Sequence, residues 1–315
     1  MIITNKNGET EVSINPLKPN PKNMEENANT AVQFNEEEAR WHLDEIVMPQ
    51  SMRQTIDDII VFCNNRKKLI EQWELGRFLK GGNSVGINLY GAPGTGKSIT
   101  AEGIADAVHK KIIKVDYSEI QDSKLGGTEK KLTALFQQAE AHDSIIFFDE
   151  ADGLLGKRAS DGPNAQTHNE IKSHLLTLID RTDVIVIYST NLFKNYDRAF
   201  FRRILYHLRF DLPQTEQLIS LWKFHLGENI PKAADFSYEE IAAASEGLAG
   251  GDIKNITLKL CIRLAANHLQ AISCEDVKKE IETYKTSLKD IQASQPTRVK
   301  VDAADIPEEV KQQLL

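Results

Sequence analysis

Eight consecutive residues, Gly91-Ala92-Pro93-Gly94-Thr95-Gly96-Lys97-Ser98, have the types and spacing of a phosphate cradle, G-x-x-x-x-G-K-S. Glycines let successive backbone N–H groups turn inward around phosphate oxygens, and a helix starting behind them adds the positive end of its dipole. Lys97 places a point charge on the β- and γ-phosphates of a nucleotide, and Ser98 offers a hydroxyl to Mg²⁺. Further along, Ser144-Ile145-Ile146-Phe147-Phe148-Asp149-Glu150 is an apolar run ending in two carboxylates. Asp149 is expected in the Mg²⁺ shell, and Glu150 as the general base that polarises an attacking water. A third apolar run, Ile187-Tyr188-Ser189-Thr190-Asn191, ends in an amide that would sit between the loop and the acids and orient that water.

Such groups need a scaffold that brings strand ends together. Apolar runs of four to six residues recur at Gly86–Tyr90, Ile112–Val115, Ile145–Phe148, Val184–Tyr188 and Leu205–Phe210, with helical patterns between them. That alternation predicts an α/β fold with a doubly wound, mainly parallel sheet buried on both faces. In such sheets ligands bind at the carboxyl ends of strands. After Pro213 the strand signals stop, and Ile253, Ile256, Leu260 and Leu264 keep helical spacing. The expected organisation is a polar N-terminal tail over 1–38, an α/β domain over 39–212, a small all-helical domain over 213–285 and a polar tail over 286–315. A short helix is expected at Glu308–Leu315. Within the first tail, Asn7-Gly8 between alternating runs predicts a two-residue hairpin over 2–14.

Composition excludes several classes. The 315 residues carry 38 basic and 46 acidic side chains, a formal charge of −8, and 41% are hydrophobic. About half the negative excess falls in residues 1–38, with three lysines against seven glutamates. No run reaches the ~18 apolar residues of a membrane span, and the N-terminus lacks the basic-then-apolar pattern of a secretory signal. Cys63, Cys261 and Cys274 are scattered, which fits reduced thiols in a cytoplasmic protein. No H-E-x-x-H is present, so no zinc protease is expected.

From about Glu45 to Leu269 the motifs resemble, in order, those of the AAA+ ATPases, and within them the classical AAA clade. Gly91–Ser98 resembles Walker A, Ile145–Asp152 Walker B, and Tyr188–Asn191 the sensor strand. Asp197-Arg198-Ala199-Phe200-Phe201-Arg202-Arg203 resembles the box whose arginines reach the neighbouring subunit's nucleotide. Gly247–Lys254 resembles the lid turn near adenine and ribose, and Leu43–Val47 the segment whose backbone contacts adenine. The resemblance implies a P-loop NTPase with a helical C-terminal lid, assembled as a hexameric ring that hydrolyses ATP between subunits. It implies ATP contacts from Ile46, Val47, Pro93, Gly94, Thr95, Gly96, Lys97, Ser98, Ile99 and Gly251, Mg²⁺ at Ser98 and Asp149, and catalytic roles for Glu150, Asn191, Arg202 and Arg203.

Alignment of the first pore segment places Lys124 where family unfoldases carry an aromatic clamp, with Leu125 beside it. The second pore segment falls within Gly156–His168, where Lys157, Arg158 and His168 make the expected pore basic. The implied activity is ATP-driven unfolding or disassembly of a protein partner by a stand-alone motor, with neither membrane nor nucleic acid as partner. One resembling subgroup remodels HORMA-domain proteins, including those of bacterial antiphage signalling. The alternative reading is an ATPase that tracks or loads nucleic acid; the acidic balance and the lack of a basic patch interleaved with aromatics stand against it.

Overall fold

The computed structural model describes residues 3–4, 10–11, 32–77, 84–120, 126–156, 165–191, 196–266 and 268–294. Five strands form one sheet: β1 (Val85–Gly91), β2 (Ile112–Asp116), β3 (Ile145–Asp149), β4 (Ile185–Thr190) and β5 (Ile204–Phe210). Their spatial order is β2-β3-β4-β1-β5 and every pairing is parallel. All five predicted apolar runs became strands. Parallel strands need crossovers and both faces covered, and the continuous burial of Val85–Leu89, Ile145–Phe148 and Ile185–Thr190 is that requirement read in side chains.

Alternation along the strands divides the core in two. Ile87, Leu89, Ile145, Phe147 and Ile187 pack with helices α1 (Gln50–Glu71) and α2 (Lys97–Ala107). Ile113, Ile146, Phe148, Val186 and Tyr188 pack on the other face. There they meet α4 (Gly127–His142) and α6 (Ala165–Arg181). Three one-turn helices punctuate the crossovers: α3 (Tyr117–Ile120), α5 (Asp152–Leu155) and α7 (Arg198–Phe201). The end of β1 passes so close to β5 that a Cβ on Gly91, whose φ is +142°, would stand 2.0 Å from the Phe210 carbonyl oxygen. Gly91→Ala therefore combines backbone strain with overpacking, and about 2–5 kcal/mol of stability should be lost. A urea-midpoint shift under 0.5 kcal/mol equivalent would contradict this close approach.

Beyond Pro213 come α8 (Thr215–Leu226), α9 (Tyr238–Ala244), α10 (Gly250–Ala265) and α11 (Cys274–Ser294) around their own apolar cluster. Its centre is Trp222, fully buried, whose indole N–H donates to the Ser245 hydroxyl at 2.9 Å. Two predicted boundaries move. Helix α11 continues to Ser294, past the expected end at 285. Residues 34–37, placed in the N-terminal tail from composition, are docked. Glu37 forms an antiparallel bridge with Ile112 on the edge strand β2, and Phe34 exchanges hydrogen bonds of 2.9 and 2.8 Å with the Gln138 side chain. An open edge strand is an aggregation hazard, and this segment covers it.

Lys114, hydrogen-bonded to Glu37 at 3.2 Å, with help from Arg40, holds the Glu37 carboxyl below its usual range. A depressed carboxylate contributes stability above its unfolded value and loses it as the pH falls. Docking of this segment should thus weaken below about pH 4.5. Protease accessibility around residue 38 that is flat from pH 6 to pH 3.5 would refute the coupling.

At the N-terminus Ile3–Thr4 pairs antiparallel with Thr10–Glu11, Ile3 opposite Glu11. A two-residue turn at Asn7-Gly8 would place Thr4 opposite Glu11, so the predicted register is off by one. The expected helix at Glu308–Leu315 lies outside the described residues.

Candidate active site

The loop between β1 and α2 is shaped by glycine. Gly94 (φ +72°) and Gly96 (φ +101°) are left-handed, a conformation costly for other residues. The Thr95 hydroxyl donates to the Ala92 carbonyl at 2.7 Å, and Thr100 bonds back to the Gly96 carbonyl at 3.0 Å through its N–H and 2.9 Å through its hydroxyl. Lys97, the first residue of α2, is 7% exposed. Its ammonium donates to the Gly91 carbonyl (3.0 Å), the Ala92 carbonyl (2.8 Å) and Asn191 Oδ1 (2.9 Å). Burial lowers its pKa, and the nearby Asp149 and Asp152 carboxylates act against that. A cation whose three donors are all held by neutral oxygens can exchange those partners for phosphate oxygens.

The acidic turn lies beside it. Ser98 donates to Asp149 Oδ2 at 3.0 Å, and Asp149 Oδ1 accepts from the Ser189 hydroxyl and, at 3.0 Å, from the Glu150 N–H. A hydroxyl and a carboxylate facing one another are hard oxygen donors of the kind Mg²⁺ takes, so the residues present fit that ion. Glu150 is exposed, with φ of +49°, and its side chain is open to solvent at the end of β3. Asn191, also exposed, follows β4. The structure thus brings Lys97, Ser98, Asp149, Glu150 and Asn191 together at the carboxyl ends of β1, β3 and β4.

A cavity of about 1020 Å³ extends from the loop towards the C-terminal helices. Gly94–Ile99 line one end; Ile46, Val47 and Gly251 line it as well, and Pro93 is exposed outside its wall. The Gly251 N–H donates to the Gly94 carbonyl at 3.0 Å, which ties the start of α10 to the phosphate loop. Trp41, Met48, Leu221 and Phe224 give the cavity an apolar wall, and the Trp41 and Phe224 rings lie 6.1 Å apart. His225 also lines it; burial, with Lys254 nearby, lowers its pKa, so the ring is neutral at pH 7. Trp41, Phe224 and His225 were missed in the sequence. The available signal was Phe224, an apolar residue off the buried Leu218–Trp222–Leu226 stripe and 46% exposed.

Arg202 and Arg203 stand apart from this group. They precede β5, where Gly86 at the start of β1 pairs with Ile204. The loop is at the other end of β1, whose seven residues span about 20 Å. Arg202 is exposed. Arg203 forms two hydrogen bonds of 2.7 Å with the Asp180 carboxylate of α6, which raises its pKa, and a third of 3.2 Å with the Ala199 carbonyl. Neither arginine serves its own chain's loop in this arrangement. Lys124, Leu125, Lys157 and Arg158 lie outside the described residues; His168 is on α6.

A parallel α/β sheet with a glycine loop, a buried lysine and an acidic strand end is the architecture of the P-loop NTPase fold. Over residues 87–212 the sequence matches the family described as "ATPase family associated with various cellular activities (AAA)". It is similar to the Cell division cycle protein 48 homolog of Archaeoglobus fulgidus, 29% identical over 238 residues that cover 70% of this chain and 32% of that protein. It is also similar to the 26S proteasome regulatory subunit S10B homolog B of Arabidopsis thaliana, 33% identical over 181 residues, 54% of this chain and 45% of that protein. The chain therefore spans less than half the length of these relatives. No described helix is long and apolar enough to cross a membrane.

Proposed function

We propose that this chain hydrolyses ATP at the interfaces of a homo-oligomeric ring, of hexameric size, and uses the energy to unfold or take apart a protein partner. The supporting observation is the separation within one chain. Lys97, Ser98, Asp149, Glu150 and Asn191 converge at one end of the sheet, while Arg202 and Arg203 lie a strand length away and would complete a neighbour's site. In this reading residues 39–212 form the motor, and the helices after Pro213 form a lid that touches the loop through Gly251.

Mg²⁺ held by Ser98 and Asp149 would neutralise charge on the transferring phosphoryl group. Lys97 would move from Asn191 and the loop carbonyls to the phosphates. Asn191, released from Lys97, would orient water, and Glu150 would accept its proton. Arg202 and Arg203 from the next subunit would stabilise the charge that spreads over the leaving phosphoryl oxygens. Cys63, Cys261 and Cys274 are unpaired thiols, compatible with a reducing cytoplasm.

As a partner we propose a HORMA-domain signalling protein of a bacterial antiphage system, on the strength of the resemblance set out above. The test measures ATPase rate and complex stability with such a partner, with an unstructured peptide and with single-stranded DNA. Stimulation by the HORMA protein, together with loss of its bound complex only in ATP, supports the reading. No response to either protein, with stimulation by DNA, would sink it in favour of a nucleic-acid motor.

A further inference from the structure

The next-to-last residue of strand β4, Ser189, carries a hydroxyl that the mechanism above leaves unused. Strands β3 and β4 pair Phe148 with Tyr188, so the next residues along, Asp149 and Ser189, stand side by side at the mouth of the site. Ser189 is 3% exposed and touches each of the three residues that follow Phe148. Its hydroxyl donates to Asp149 Oδ1. Its Oγ accepts from the Glu150 N–H at 3.4 Å, and its carbonyl accepts from the Ala151 N–H at 2.8 Å. The Glu150 N–H also reaches Asp149 Oδ1, at 3.0 Å. The other carboxylate oxygen, Oδ2, faces Ser98 at 3.0 Å.

We propose that Ser189 is a positioning residue for both acids. A carboxylate can present either oxygen by rotating about its last torsion, which is broad and roughly two-fold. Two donors from the protein on Oδ1 remove that freedom and leave Oδ2 turned to Ser98, the arrangement in which one oxygen of each residue meets a single divalent cation. Such outer partners fix the orientation of the oxygens that bind the ion. The same contacts bear on Glu150. Its φ of +49° is a conformation that a glutamate rarely adopts, and it persists where neighbouring contacts hold the backbone. Ser189 holds the N–H groups on both sides of the Glu150 side chain's origin, at Glu150 and Ala151, so the direction in which the base leaves the strand depends on β4.

The inference rests on Asp149 as the Mg²⁺ ligand, and the experiment separates the two. Mn²⁺ is titrated into the full chain with a non-hydrolysable ATP analogue and followed by electron paramagnetic resonance. Analogue binding in EDTA and thermal midpoint are measured in parallel. Ser189→Ala should weaken Mn²⁺ binding about 10–100-fold. It should leave metal-free nucleotide affinity within about twofold, since neither Lys97 nor the loop is touched. Ser189→Thr, which keeps the hydroxyl, should recover most of the Mn²⁺ affinity. Equal losses with and without metal, or unchanged Mn²⁺ affinity in Ser189→Ala while Asp149→Asn abolishes it, would overturn the proposal and leave Asp149 as ligand. Unchanged Mn²⁺ affinity in Asp149→Asn would overturn both.

Discussion

A Glu150→Gln chain binds ATP with the affinity of the parent and turns it over about 10²–10⁴ times more slowly, the usual contribution of a placed general base. The expectation follows from where the side chain sits. Glu150 is exposed, bonds through its N–H to Asp149 and Ser189, and leaves the end of β3 beside the Ser98–Asp149 pair. Its amide analogue keeps size and hydrogen-bonding capacity but cannot take a proton from water near neutral pH. Binding is thus preserved while the chemical step fails, and the chain accumulates with ATP bound and partner captured. The measurement is a nucleotide-binding isotherm beside a steady-state phosphate-release assay, followed by co-purification of whatever the trapped chain holds. Loss of ATP binding in this variant would show that Glu150 supports the loop; a rate within threefold of the parent would remove it as the base.

Arg203→Ala and Lys97→Ala chains are each inactive alone, and mixing them restores a measurable fraction of the ATPase rate. An arginine supplied across an interface is worth about 10³–10⁵ in rate, and removing Lys97 takes away the cation that meets the phosphates, so either single defect is severe. In a ring, some interfaces of the mixture place an intact Lys97 beside an intact Arg203. The parent chain supports this geometry: Arg203 precedes β5 at the far end of the sheet, paired with Asp180 rather than with anything near the loop. Both partners of that pair are about a third or more exposed, so its loss costs about 1 kcal/mol or less and the variant remains folded. Mixtures that stay at the background of the separate variants, while sedimentation shows mixed rings, would mean that each site is complete within its own chain.

How much of this was legible beforehand depends on range. All five strands were readable because burial on both faces of a parallel sheet forces continuous apolar runs. The loop was readable because phosphate binding uses backbone N–H groups of neighbouring residues, so its chemistry is concentrated between Gly91 and Ser98. The docked segment at residues 34–37 was not. Apart from Phe34, which packs against the core, its side chains are polar, and the bridge to Ile112 and the amide of Gln138 that hold it leave no local pattern. The end of α11 was misjudged for a related reason. Residues 286–294 are mostly polar, but they continue a helix whose earlier turns are anchored by buried Val277 and Ile281, and Leu288 among them packs against the same cluster. The aromatic wall of the cavity was missed because Trp41 and Phe224 meet only when the N-terminal approach and the first C-terminal helix fold onto the same opening.

The amino-acid sequence alone specified the α/β class, the phosphate loop, the acidic strand end and the helical unit after Pro213, since each is written in residues that are neighbours in the chain. Folding in three dimensions settled which of those groups touch. Lys97 meets Asn191 and Asp149 meets Ser189 only because β1, β3 and β4 lie side by side in matched parallel register. Gly251 meets Gly94 only because the C-terminal helices fold back over the loop. Arg203 found a partner in Asp180 of its own chain, which its place in a motif did not reveal. Strand order and register come from long-range packing of side chains on both faces of the sheet, and no local spacing encodes them.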